Sequence, residues 1–204
     1  MLQLIIIFIM VVVINLALPK KVSAHCDTMD GPTAIDGMKA LETKNINYAL
    51  KWIMPEWEEE LASIFNLSLK VRHLNDDAKE LADRYFLENL VRIHRAGEGA
   101  PFAGLKPAGI PIDEKVAAAD KCIEIGNVSP LEGLVSPEEM PELEKRLKKA
   151  LTLKDFDLND VRAGREYIEA YVSFFKFAEG ENHDHGHGHD DEHEVEEAHH
   201  VNHK

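Results

Sequence analysis

Residues 97–111 read GEGAPFAGLKPAGIP, with four glycines and three prolines in fifteen positions. That composition excludes helix and central strand, because glycine costs backbone entropy and proline removes a donor. The stretch is therefore a connection. On either side of it the chain reads as helix, so an all-α bundle in two halves is expected, about 33–98 and 112–180.

Upstream, Ala34, Met38 and Leu41, then Ile46, Leu50, Ile53 and Met54, repeat at helical spacing, with Asn45 as the break between two short helices. Pro55 is placed at the first turn of the next helix, where Glu56, Glu58, Glu59 and Glu60 suit the positive end of the helix dipole. Its buried stripe is Leu61, Ile64, Phe65, Ser68 and Leu69. Asn75 or Asp76 then caps a long helix to about Ala96, with Leu81, Tyr85, Leu90 or Val91, and His94 near one face. Trp52, Trp57, Tyr85 and Phe174 read as core or half-buried packing.

Downstream, the pattern begins again. Ala40-Leu41-Glu42-Thr43-Lys44-Asn45-Ile46 answers Cys122-Ile123-Glu124-Ile125-Gly126-Asn127-Val128, Pro55-Glu56 answers Pro137-Glu138, and Leu61 answers Leu143. Further on, Glu88 answers Glu169, Val91 answers Val172, and Glu98-Gly99 answers Glu179-Gly180. An offset of about 82 that slips by one near the last helix predicts a duplicated unit of roughly three helices, packed about a pseudo-twofold axis.

The two ends read differently. Residues 4–18, LIIIFIMVVVINLAL, are too short to span a bilayer comfortably and suit a signal peptide of residues 1–24, with Val22-Ser23-Ala24 as the cleavage flank. MLQ carries no cation, whereas Lys20 and Lys21 follow the apolar run, so an uncleaved anchor over 4–18 is the alternative. Export to the periplasm or exterior is expected, with no stable membrane insertion after cleavage. The last stretch, 181–204, ENHDHGHGHDDEHEVEEAHHVNHK, has too little apolar surface to offset ordering entropy and is expected to be disordered without metal.

Charge narrows the partners. The formal net charge is −14, and −16 once Lys20 and Lys21 leave with the leader; nine acids against one lysine from Glu179 onward account for −8 of that. Such a chain repels phosphate backbones, so nucleic-acid binding is not expected, and it attracts cations. Whether it has a protein partner or forms a homo-oligomer is not legible.

The residues that carry chemistry are metal ligands. His183, His185, His187, His189, His193, His199, His200 and His203 lie among acids and glycines, a tract whose neutral imidazoles take Ni, Cu or Zn. Cleavage after Ala24 gives His25 a free amine, so that amine, imidazole and the Cys26 thiolate form a compact chelate. His94 and Glu98, four apart, form a further pair of ligands if the long helix runs one more turn, with Arg92 and Arg95 beside them; a hydrogen-bonded core histidine is the bland alternative. Cys26 and Cys122 could instead close a disulfide in an oxidising compartment. No phosphate loop and no nucleophile elbow is present, and no catalytic residue is assigned.

His25-Cys26-Asp27 resembles the mature start of nickel superoxide dismutase, where the first two residues hold nickel. The resemblance implies a redox metal site, but the hook's second cysteine, four residues after the first, is Asp30 here, a hard ligand. A wider resemblance is carried by AHCDTMDGP at 24–32, LADRYFLENLVRIHRAGEGAPFAGLKPAG at 81–109 and AGREYIEAYVSF at 163–174. These motifs resemble a family of exported bacterial proteins catalogued as a domain of unknown function. It implies that the 25–32 stretch and the Gly/Pro connection belong to one unit. The expected function is an exported protein that buffers, delivers or senses a transition metal; a metal-dependent redox enzyme and a non-catalytic structural bundle are the alternatives.

Overall fold

The computed structural model describes residues 25–180. Residues 1–24, the expected signal peptide, and residues 181–204, which include eight histidines, lie outside the described residues. Among those described there are seven α-helices and no strand: α1 Pro32–Thr43, α2 Asn47–Leu50, α3 Glu58–Val71, α4 Asp76–Gly97, α5 Glu114–Ile125, α6 Met140–Leu153 and α7 Val161–Glu179. No helix among them is long and apolar enough to cross a membrane.

Local chemistry sets the ends. Pro32 sits in the first turn of α1, where its missing N–H is not needed. The side chains of Asn75, Asp113 and Asp160 accept from Ala78 N, Lys115 N and Ala163 N and so cap α4, α5 and α7. Pro55 opens a 3-10 turn, Pro55–Trp57, rather than the α-helix itself, which starts at Glu58 with three acids in its first turn. The segment after Asn45 is helical only over α2 and then turns, so Ile53 and Met54 lie beyond the helix.

The two halves have matching frames. Both bounds of α1 and of α3 recur 82 positions later as those of α5 and α6. The left-handed C-caps Lys44 (φ 56°) and Gly126 (φ 79°) follow the same spacing. So do the Asn45 and Asn127 side chains, which accept from Asn47 N and Ser129 N. Arg72 donates to Leu41 O at 3.0 Å, and Lys154, in the same place, donates to Ile123 O at 3.3 Å. In one half α1 and α3 pack on α4; in the other α5 and α6 pack on α7.

One continuous core runs through both halves, with Leu41, Leu61, Phe86, Leu90, Leu143 and Phe174 among its most deeply buried side chains. Gly37 allows the close approach of α1 to α4: a Cβ there would stand 2.6 Å from Leu87 Cδ2 and 2.8 Å from Leu90 Cδ2. Across the halves, the Arg165 Nε donates to Ile53 O at 2.8 Å and its guanidinium pairs with Glu58.

The stripe expected on α3 is buried at Leu61, Ile64, Phe65 and Ser68, with Leu69 half-buried. The face expected on α4 is corrected in part. Leu81 is 70% and Tyr85 47% exposed, and the helix instead buries Ala82, Asp83, Phe86, Leu87, Leu90, Val91 and His94. Trp52 and Phe174 are buried and Trp57 is half-buried, as expected of packing residues.

Candidate buried His-Cys-carboxylate site

His25–Asp27 form a 3-10 turn, followed by a single bridge residue, Thr28, and a turn into α1. The Gly/Pro connection holds that stretch in place: Lys106 N donates to Asp27 O at 2.7 Å, Met29 N to Lys106 O at 2.9 Å, and Gly109 N to the Asp30 carboxylate at 2.8 Å. Thr28 and Lys106 thereby form a parallel bridge. The long connection is thus an ordered clamp, with Leu105 and Thr28 buried beneath it. Two stretches nearly eighty residues apart are fastened together over the end of α4.

Under the clamp lies the last turn of α4. His94 and Glu98 do share a face, because the first turn beyond the helix stays helical in backbone, with Glu98 N donating to His94 O. His94 is 4% exposed. Its Nδ1 lies 2.8 Å from the Trp52 carbonyl, and its Nε2 lies 3.7 Å from Glu98 Oε2, too far for a hydrogen bond. The Trp52 indole meets the imidazole edge-on at 5.5 Å between centroids. Arg95, also buried, donates to Glu98 Oε2 at 2.9 Å and stands 3.4 Å from Asp27 Oδ1. Lys176, from α7 of the other half, reaches Glu98 Oε1 at 3.1 Å.

The electrostatics follow from burial. Burial and then the Glu98 charge push the Cys26 thiol up to about 12, against the Thr33 hydroxyl and Arg95, so the metal-free protein holds it protonated at neutral pH. Burial lowers the affinity of His94 for a proton more than Glu98 raises it, which leaves a neutral imidazole with its donor role on Nδ1 toward Trp52 O. Burial also raises Asp27, with Arg95 opposing. Glu98 behaves differently: burial raises it, but the charges beside it, that of the His94 ring when protonated and those of Lys176 and Arg95, outweigh that and hold it below the ordinary carboxylate value.

The structure therefore puts His94 and Glu98 side by side, sets Asp27, Arg95, Lys176 and the Trp52 carbonyl around them, and leaves the half-buried Cys26 near enough to feel the Glu98 and Arg95 charges. Arg95 was legible beside His94, whereas Lys176 and Trp52 come from elements that no local spacing links to α4. Asp30, at the place of the hook's second cysteine, turns a carboxylate oxygen to Gly109 N. Both cysteines are free, and Cys122 is buried in the second half, so the expected disulfide alternative is not what the structure contains. Among the described residues no three His, Cys, Asp or Glu side chains are already assembled as a metal cage.

These features define a helical protein with a clamped cluster of His94, Glu98, Asp27 and Arg95 at the end of one long helix. The chain belongs to a family described as Family of unknown function (DUF6448), whose model matches residues 30–177. The match begins after His25–Met29. No curated protein and no solved structure matches the chain.

Proposed function

We propose that the protein is an exported binder of a late transition metal, Ni, Cu or Zn, in which the His-rich tail collects the ion and the cluster around His94 receives it. One observation carries this reading: His94 presents a buried Nε2 that has no hydrogen-bond partner while its other nitrogen is fixed by a backbone carbonyl. That is how metal-ligating histidines are oriented. The 3.7 Å gap to Glu98 Oε2 supports it, since two ligands on one tetrahedral zinc stand about 3.3 Å apart. Asp27 Oδ1 and Arg95 Nε, also buried, face each other at 3.4 Å as an ion pair without forming a hydrogen bond.

An arriving cation takes over the charge role of Arg95 between Asp27 and Glu98, and Cys26 releases its proton on binding, so uptake strengthens as pH rises. Cleavage of the leader before His25 frees an α-amine next in sequence to Cys26 as a further nitrogen donor. The Asp30 carboxylate, committed to Gly109 N where the hook carries its second thiolate, speaks against hook-type redox chemistry.

The test is metal uptake by the untagged chain from His25, with and without residues 181–204, and by His94→Ala in the shorter form. The shorter chain is expected to keep one tightly held ion that His94→Ala loses. If the shorter chain keeps none, the cluster is a structural lock, as the Arg95 and Lys176 ion pairs to Glu98 favour.

A further inference from the structure

A second site lies on the other side of Trp52. A cleft of about 410 Å³ opens between α1 and α2 of the first half and the α6–α7 loop and α7 of the second. That is within the usual range for small-ligand sites. We propose that this cleft binds a small organic anion with a flat, apolar body.

Its walls are aromatic: Tyr48, Trp52, Phe156, Tyr167 and Tyr171. Its charged lining is Lys39, Lys51 and Lys154 against Asp36 alone, a net positive cleft on a chain of net charge −14. Only Lys51 has its charge matched, by Asp36 at 2.8 Å. Lys39 lies over the Tyr48 ring at 4.6 Å, and Lys154 makes only a long hydrogen bond to Ile123 O. Neither has a carboxylate partner among the described residues.

Two exposed lysines without counter-ions at the rim of an aromatic slot fit an anionic head and an apolar body. The one acid is already committed, since Asp36 Oδ2 accepts from Trp52 Nε1 at 2.8 Å as well as from Lys51. A cleft of similar size beside α6 is lined by Gly126, Asn127, Glu144, Lys148 and aliphatic residues, with no ring to stack on.

The test uses the full chain and 2-naphthoate, followed through the two indole N–H signals of Trp52 and Trp57. Its neutral amide, 2-naphthamide, and inorganic phosphate separate the charge from the apolar body. Naphthoate is expected to shift the Trp52 signal saturably and leave Trp57 in place, with both controls at least about tenfold weaker. Lys39→Ala and Lys154→Ala, at exposed positions, are each expected to weaken naphthoate by about tenfold with the remaining spectrum unchanged. An unmoved Trp52 signal, equal binding of the amide, or unaltered affinity in both lysine variants would overturn the proposal.

Discussion

Asp83 shows how much a single buried charge depends on its partners. It lies on the inward face of α4, 7% exposed, and Arg72 reaches it with Nε at 2.7 Å and Nη2 at 3.1 Å while Lys79 adds 2.6 Å. Burial alone would raise its pKa, but the Arg72 and Lys79 bonds outweigh that and hold it below the ordinary value. Asp83→Ala leaves Arg72 buried without its carboxylate and is expected to cost about 3 kcal/mol in denaturant unfolding at pH 7. Because the folded pKa is the lower one, the stabilisation is complete above the unfolded value of about 4 and fades as pH falls through the folded value. The cost of Asp83→Ala should therefore shrink below about pH 4. A penalty that stays constant to lower pH would mean the carboxylate charge is not what stabilises α4.

At the scale of elements, the sequence told most about helix ends. Asn75 is a cap because its short side chain reaches Ala78 N, and the acids that follow it favour the same end of the dipole. Which face of α4 points inward was harder to read. Leu81 and Tyr85 are apolar and four apart, yet the buried row runs through Ala82, Asp83 and Phe86. Asp83 looks like a surface residue until Arg72 is known to meet it, so hydropathy shifts the stripe by one position. Helix ends also carry a difference between the halves: Lys44 sits at φ 56° where its counterpart is Gly126 at 79°. A side chain in that left-handed conformation costs roughly 1 kcal/mol, which glycine avoids. Lys44→Gly is expected to raise stability by about 0.5–1 kcal/mol in thermal or denaturant unfolding, and Gly126→Lys to lower it by a similar amount. Opposite signs would show that the cap backbones differ between the halves although the helix bounds match.

For the whole molecule, the Gly/Pro stretch that divides the sequence also joins the structure. Residues 97–111 separate the helices into α1–α4 and α5–α7, and Lys106 and Gly109 return to fasten Asp27, Met29 and Asp30 over the end of α4. His94 and Glu98 could be paired from their spacing, because residues four apart share a helix face. Their surroundings could not: the Trp52 carbonyl arrives from a loop, Lys176 from the last helix, and Asp27 through pairing with the connection. Long-range placement of that kind has no periodic signature. The corresponding turn of α7 has Phe175 near the place of His94, so the cluster belongs to one half although the frame recurs in both.

If Cys26 and His94 hold one metal ion together, as proposed, cobalt(II) added to the chain from His25 to Gly180 reports it through its absorption spectrum. The expected result is intense visible bands of a four-coordinate ion and a sulfur-to-cobalt charge-transfer band in the near ultraviolet, with the charge-transfer band lost in Cys26→Ser and the visible bands weakened in His94→Ala. A weak spectrum of hydrated cobalt, unchanged by either substitution, would contradict it.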